Sequence, residues 1–275
     1  MEATINEVWN EFERVHTGRR KGLGEYRRLY LRHVAPGLGD STFESIHPRT
    51  IGELHDSLHA TPTQANRVLA VISKLHSFAR RRGRISHAHQ NPCSLVERYP
   101  ERSRSRHASM EELERIKRVL ASETGRSAIL LKCLILTGAR PSELTGARRE
   151  HLDGDVIRLP DSKNGTARNI YLNRQARELI GQLAESKDGT LFGVSAQAAA
   201  KLWRQLRVKA GVPDMRMYPD LRRSFATVAV AAGVSIDQIG GLLGHKSRQT
   251  TLIYARLMEG AAHKAAQQAG DFMEI

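Results

Sequence analysis

Cysteine, long apolar runs and acidic charge are all scarce in this chain of 275 residues, and each shortage closes off a class of protein. There are only 2 cysteines, Cys93 and Cys133, in unlike contexts. That excludes a disulfide scaffold and fits two reduced thiols in a cytosolic protein. His87 and His89 stand near Cys93, but no second ligand pair has zinc-finger spacing, so no metal site is assigned. The longest apolar run, 128–136, is broken by Lys132 and falls far short of a bilayer span. No membrane segment is expected. Residues 1–9 carry neither a basic leader nor an apolar stretch, so the expected location is the cytoplasm. No internal repeat or low-complexity tract is found.

Positive charge is what the chain has in excess. Lys+Arg number 43 against 29 Asp+Glu, a formal net charge of +14. Residues 1–100 hold 15 basic and 10 acidic groups and residues 101–275 hold 28 and 19, so the excess runs through both halves. A basic tail is thereby excluded, and nucleic acid contacted along the whole protein is favoured over an anionic membrane patch. The length allows two compact domains with apolar cores that need no staples.

The first hundred residues read as short helices over 5–15, 24–34, 48–58 and 62–82, with a turn at Pro36-Gly37. In 62–82, Val68, Val71, Ile72, Leu75, Phe78 and Ala79 recur at helical spacing and predict one buried face. Arg80, Arg81, Arg82 and Arg84 crowd the end of that helix. They read equally as a solvated charge run at a favourable dipole end and as a phosphate-contacting edge. Over 98–108, Arg98, Arg102, Arg104 and Arg106 alternate with Pro, Ser and Glu without periodicity, which reads as a flexible basic linker. The expected organisation is therefore a helical domain over 1–97, a linker over 98–108 and a second domain over 109–275.

Ser109 and Glu112 fit a capping box that opens a helix to about residue 121. Residues 126–137 make a nearly all-round apolar, hence central, helix stopped by Gly138, and Pro141 suits the first turn of the next. Strands over 156–159 and 169–172 flank Asn164-Gly165, the strongest short signal for a tight turn. Lys163 sits just before that tip. From about 174 the helical pattern returns, with Ser235 and Gln238 as a further cap. The fold class is mainly α with a small β-hairpin or sheet.

Four polar anchors stand out in the second domain, and each alone has an ordinary reading. Arg140 can pair with Glu143, and Arg222 can pair with Asp220 or cap the apolar helix 225–232. Lys163 can be a solvated turn lysine, His245 a satisfied helix-end histidine and Tyr254 a core tyrosine. Their joint order and spacing is more specific. TGARPSEL around Arg140, LPDSKNGTAR around Lys163, DLRRSFAT around Arg222, and LLGHKSRQTTLIYARL with His245 and Tyr254 together resemble the tyrosine site-specific recombinases of the phage integrase family. The resemblance is strongest over 109–257. It extends over the first hundred residues, which look like the family's helical core-binding domain.

The resemblance implies a two-domain clamp on double-stranded DNA that cuts and rejoins strands through a covalent 3′-phosphotyrosyl intermediate. It implies no cofactor. Attack by a phenol oxygen builds extra charge on a phosphate that is already anionic, so Arg140 and Arg222, each able to donate paired hydrogen bonds, would form the clamp. Tyr254 would be the nucleophile, and its ester would store the bond energy for rejoining without ATP. The clamp supplies charge that other nucleases take from a metal. By the family's pattern Lys163 would protonate the departing 5′ oxygen, His245 would donate to the phosphate, and Glu143 would orient the clamp. Arg80, Arg81, Arg82, Arg84, Arg102, Arg104 and Arg106 are the expected backbone contacts. The tail after Gly260 would dock on a neighbouring protomer in a homotetramer assembled on paired sites. No segment resembling an arm-site domain is recognised.

One position departs from the pattern. Three residues before the second arginine the family places a histidine, and here Pro219 offers neither donor nor acceptor. Losing a general acid-base group costs roughly a hundredfold in rate. Water, Tyr218 or another histidine can take its part. The alternative expectation is a DNA-binding protein on the same scaffold that cuts weakly or not at all. A type IB topoisomerase shares the chemistry but suits the small helical first domain less well.

Overall fold

Apolar residues at helical spacing gather into one core in the compact unit Met1–Ser103 and, in the unit Arg104–Ile275, into a main core and a smaller separate cluster around Ala226, Val230, Ile239 and Leu243. The computed structural model describes residues 3–18, 22–101, 104–160 and 167–245, with residues 267, 270, 271 and 273 of the tail. Lys163, the Asn164-Gly165 turn, Arg102, Tyr254 and most of the tail lie outside the described residues. Among the described residues no helix is long and apolar enough to cross a membrane.

In the first unit, α1 (Ile5–His16) opens on a capping box between Thr4 and Glu7 and buries Ile5, Val8, Trp9 and Phe12. Helix α2 (Leu23–Leu29) passes through a π-helical turn, Tyr30–Val34, into α3 (Ala35–Leu38). Pro36 and Gly37 therefore lie inside helix, which corrects the turn expected there. The Ala35 N–H bonds five residues back to the Tyr30 carbonyl, and Pro36 falls in the first turn of α3, where a missing donor costs little. Helices α4 (Pro48–Asp56) and α5 (Pro62–Arg81) follow, and α5 buries all six apolar residues of its expected face. Past α5 the chain returns to it. Nδ1 of His89 is hydrogen-bonded to Nε2 of the buried His76 at 3.0 Å, and Cys93 packs into the core. Burial pushes the thiols of Cys93 and Cys133 up to about 12, so both are unreactive at neutral pH.

In the second unit, α6 (Met110–Ala121) begins at the Ser109–Glu112 capping box, and α7 (Arg126–Thr137) runs through the core. Gly138 ends α7 in the left-handed conformation at φ +62°, and a Cβ there would meet Phe225 at 2.6 Å and Leu243 at 2.8 Å. Both the turn and the close approach require glycine. Helix α8 (Pro141–Thr145) is followed by a three-stranded antiparallel sheet, β1 (Leu152–Asp153), β2 (Val156–Leu159) and β3 (Arg168–Tyr171), ordered β1-β2-β3. Leu159 pairs with Arg168 and Val156 with Tyr171, so β3 starts one residue before the expected strand. The two-residue β1 is too short for any alternation to announce it. Helices α9 (Arg174–Gly181), α10 (Ala196–Lys209), α11 (Asp220–Ala231) and α12 (Ile236–Leu243) complete the unit, α12 opening on a Ser235–Gln238 capping box.

Within 98–108 the described residues are held by side chains of their own unit. Asn66 donates to the Tyr99 carbonyl at 2.9 Å. Arg106 pairs with Glu112 at 2.7 Å and Asp214 at 2.9 Å, and Arg104 pairs with Asp214 at 3.1 Å. The lack of periodicity that marked this stretch reflects anchoring by polar side chains, which leave no repeat in the sequence.

Candidate active site

Three arginines from three elements converge around one carboxylate. Arg140 precedes Pro141 in extended backbone (φ −76°, ψ 143°), the conformation a following proline favours. Its backbone N–H donates to Glu143 Oε2 at 2.8 Å and its Nη1 to Oε1 at 2.7 Å. Arg168 opens β3 on the sheet face that also carries the buried Ile170, and its Nη1 donates to both Glu143 oxygens at 2.7 Å. Its Nη2 donates to the Leu242 carbonyl at 2.9 Å. Arg222, in the first turn of α11, donates through Nη1 to the Gly138 carbonyl at 2.8 Å and through Nη2 to the Leu243 carbonyl.

These bonds decide among the ordinary readings of the sequence. Arg140 does pair with Glu143. Arg222 neither pairs with Asp220 nor caps the helix 225–232 that follows it; the buried Asp220 carboxylate accepts from the Arg216 N–H at 2.9 Å and faces Arg104 and Arg223 at 3.6 and 3.7 Å. Instead Arg222 joins the end of α7 to the end of α12. Beyond α12, Gly244 is left-handed at φ +63°, and a Cβ there would meet the Arg168 side chain at 2.7 Å. That turn presents His245, whose N–H bonds to the Gly240 carbonyl at 2.9 Å.

The electrostatics follow from crowding three cations on one buried anion. Burial, then the charges of Arg140 and Arg168, push Arg222 down to about 10, which leaves it cationic at neutral pH. Arg168 is lowered as well, burial and Arg140 outweighing its bond to Glu143. For Arg140 burial also opposes the charge, but the hydrogen bond and charge of Glu143 prevail and its pKa is raised. Burial and the same three guanidiniums push the His245 imidazole down to about 4, so it is neutral at pH 7. A site with this surplus of fixed positive charge is built to receive an anion with several acceptor oxygens.

Arg140, Glu143, Arg222 and His245 are thus brought together as a set. Arg80, Arg81, Arg82 and Arg84 are exposed in the first unit, with Arg82 and Arg84 against Glu11 at 3.6 and 3.0 Å. Arg104 and Arg106 are engaged by Asp214 and Glu112. Arg168 is the residue that sequence reasoning missed. Its signal was there: in 168–172 it alternates in phase with Ile170 and Leu172, which places a charge on the buried face of the strand.

Residues 106–260 match the model of the phage integrase family. Tyrosine recombinase XerA of Saccharolobus solfataricus is 27% identical over 154 residues, covering 54% of this chain and 52% of that protein. The shufflon-specific DNA recombinase of Escherichia coli is 25% identical over 225 residues, covering 79% of this chain and 56% of that protein. The chain spans a little over half the length of these two relatives. Among solved structures, a lambda integrase tetramer bound to a Holliday junction shares the fold with a TM-score of 0.73 at 17% identity, over 91% of this chain and 77% of that one.

Proposed function

The chain belongs to the phage integrase family, and from that premise we propose that it is a site-specific DNA recombinase. Arg140 and Arg222 hold the nonbridging oxygens of a scissile phosphate. The Tyr254 phenol oxygen gives its proton to water and bonds to phosphorus as the bond to the 5′ oxygen breaks, and Lys163 protonates that leaving oxygen. The neutral His245 donates to the phosphate. The carrying observation is the convergence of two guanidiniums, each locked by backbone carbonyls or Glu143, beside a histidine kept uncharged by burial and their field. Preorganised donors of this kind are the largest single source of rate in reactions that build charge on oxygen.

The remaining assignments belong to the same reading. Residues 1–97 are a core-binding domain whose Arg80, Arg81, Arg82 and Arg84 touch the DNA backbone; 98–108 is a basic linker whose Arg102, Arg104 and Arg106 contact phosphate, Arg104 and Arg106 by giving up their pairs with Asp214 and Glu112; 109–275 is catalytic. Glu143 orients the clamp. The working form is a homotetramer on paired sites, a reading supported by the lambda integrase tetramer solved bound to a Holliday junction, and the compartment is the cytoplasm. The test is a nicked suicide substrate carrying the cognate site. Wild-type protein should become covalently joined to DNA, and Tyr254→Phe should not. Firm binding to a verified site with no adduct would leave a DNA-binding protein in place of a recombinase.

A further inference from the structure

One side chain joins the part of the cluster that comes from α8 to the part that comes from α12. Arg168 sends Nη1 to both Glu143 oxygens at 2.7 Å and Nη2 to the Leu242 carbonyl at 2.9 Å, while Arg222 takes the next carbonyl, that of Leu243. The last carbonyls of a helix have no partner within it, so guanidiniums from β3 and α11 complete the end of α12. Directly beyond lie Gly244 and His245. The Arg168 side chain packs so closely against Gly244 that a Cβ there would stand 2.7 Å from both its Cδ and its Nε.

Stability does not account for this arginine. Its Nε is buried without a hydrogen-bond partner among the described residues, and burial together with the charge of Arg140 lowers its pKa despite the bond to Glu143. An unmet buried donor and an incompletely offset charge both cost free energy. Nor does Glu143 depend on it, because the Arg140 N–H and Nη1 already donate to that carboxylate from three residues away. What Arg168 adds is the span from Glu143 to the end of α12.

We propose that Arg168 is a positioning residue for the recombination reaction proposed above, on which this inference rests: by bridging Glu143 and the Leu242 carbonyl it fixes the Gly244–His245 turn relative to Arg140, so that imidazole and guanidinium meet the same phosphate. Arg168 itself touches no substrate. Its planar fork supplies two fixed donor directions, which an ammonium cannot reproduce. The imidazole must lie within hydrogen-bond reach of the phosphate, and a misplacement of about 1 Å costs on the order of a hundredfold in rate.

The experiment is single-turnover adduct formation on the nicked site, with DNA affinity and urea unfolding measured on the same proteins. Arg168→Met removes both bonds and leaves Glu143 paired with Arg140. It should bind the site nearly as tightly as wild type, unfold at a similar urea midpoint, and form the full amount of adduct about a hundredfold more slowly. Arg168→Lys keeps the charge without the fork and should be slowed to a similar degree. In a His245→Gln background, where no imidazole needs placing, Arg168→Met should cost little further, the non-additivity expected when one residue acts through another. A wild-type rate in Arg168→Met or in Arg168→Lys overturns the positioning role while leaving the recombinase reading standing. So does an adduct that falls in amount but not in rate constant, the mark of a merely structural loss, and so does an undiminished cost in the His245→Gln background. No adduct from wild type removes both.

Discussion

Arg80, Arg81, Arg82 and Arg84 all face solvent at the end of α5, while Arg168 and Arg222 are 8% and 5% exposed in the second unit. The first group is solvated, and the pairs that its Arg82 and Arg84 make with the part-buried Glu11 are surface pairs, a kind that contributes little to stability. The second group is fixed before any ligand arrives, by Glu143 and by the carbonyls of Gly138, Leu242 and Leu243. One residue type thus serves two ends. A mobile, solvated arginine follows a phosphate backbone wherever it lies, whereas an arginine held at both Nη atoms can meet only an anion placed at one point. The cost of the second arrangement is desolvation, which Glu143 offsets for Arg140 and only in part for Arg168.

The largest expected effect that would test this contrast comes from Arg222→Lys. An ammonium keeps the charge but cannot span Gly138 and Leu243 while presenting a fork to phosphate. Covalent adduct formation on a nicked site should fall by about a thousandfold, with DNA affinity changed far less. Near-normal cleavage would mean that charge alone suffices and that the fixed geometry of the cluster is irrelevant.

Next in size is the loss of the shared carboxylate. Glu143→Gln leaves two part-buried or buried guanidiniums without a counter-charge and should destabilise the second unit by roughly 3 kcal/mol in urea unfolding, the scale for breaking a buried pair. Glu11→Gln, which removes the acid facing Arg82 and Arg84, should cost under about 1 kcal/mol. Equal losses from the two substitutions would erase the distinction between the exposed and buried sets.

A smaller effect concerns pH. His245 is held at about 4 by burial and by Arg222, Arg140 and Arg168, and His76 at about 4 by burial, His89 and Arg80. An unfolded histidine titrates near 6.5. Between these values the unfolded chain binds protons that the folded chain refuses, so stability is fully present above about 6.5 and is lost as pH falls toward 4. The His245 ring resonance should titrate near 4 in the free protein and move upward when DNA phosphate offsets the three cations. A midpoint near 6.5 in the free protein would show that the guanidiniums do not face the imidazole.

Much of this contrast could be read from the chain, and what could not has a common cause. Capping boxes at Ser109 and Ser235, the stop at Gly138, the apolar α7 and the buried face of α5 are local signals spanning a few residues, and all appear where expected. The Arg140–Glu143 pair is likewise three positions apart. Arg222, by contrast, finds Gly138 and Leu243 at separations of 84 and 21 residues, and Arg168 finds Glu143 at 25. No periodicity encodes such partners. Helix through Pro36-Gly37 escaped for the opposite reason: the punctuation was strong, but a π-helical turn absorbed it.

The smallest stability effect and the most specific binding signature belong to the exposed edge. Arg80→Ala and Arg81→Ala remove solvated side chains from the last turn of α5 and should each change unfolding free energy by less than about 0.5 kcal/mol. If each arginine neutralises a backbone phosphate, its removal abolishes the release of a condensed counterion, so the slope of log binding constant against log salt should become shallower by about 0.9 for each arginine removed. The weakening should be uniform across DNA sequences, because bonds to phosphate carry no base information. Single-turnover cleavage at saturating protein should stay near wild type. A variant with full salt dependence would place these arginines away from DNA, whereas one with an unchanged slope but slowed cleavage at saturation would tie the first unit's edge to the chemistry and undo the division of labour between the two sets.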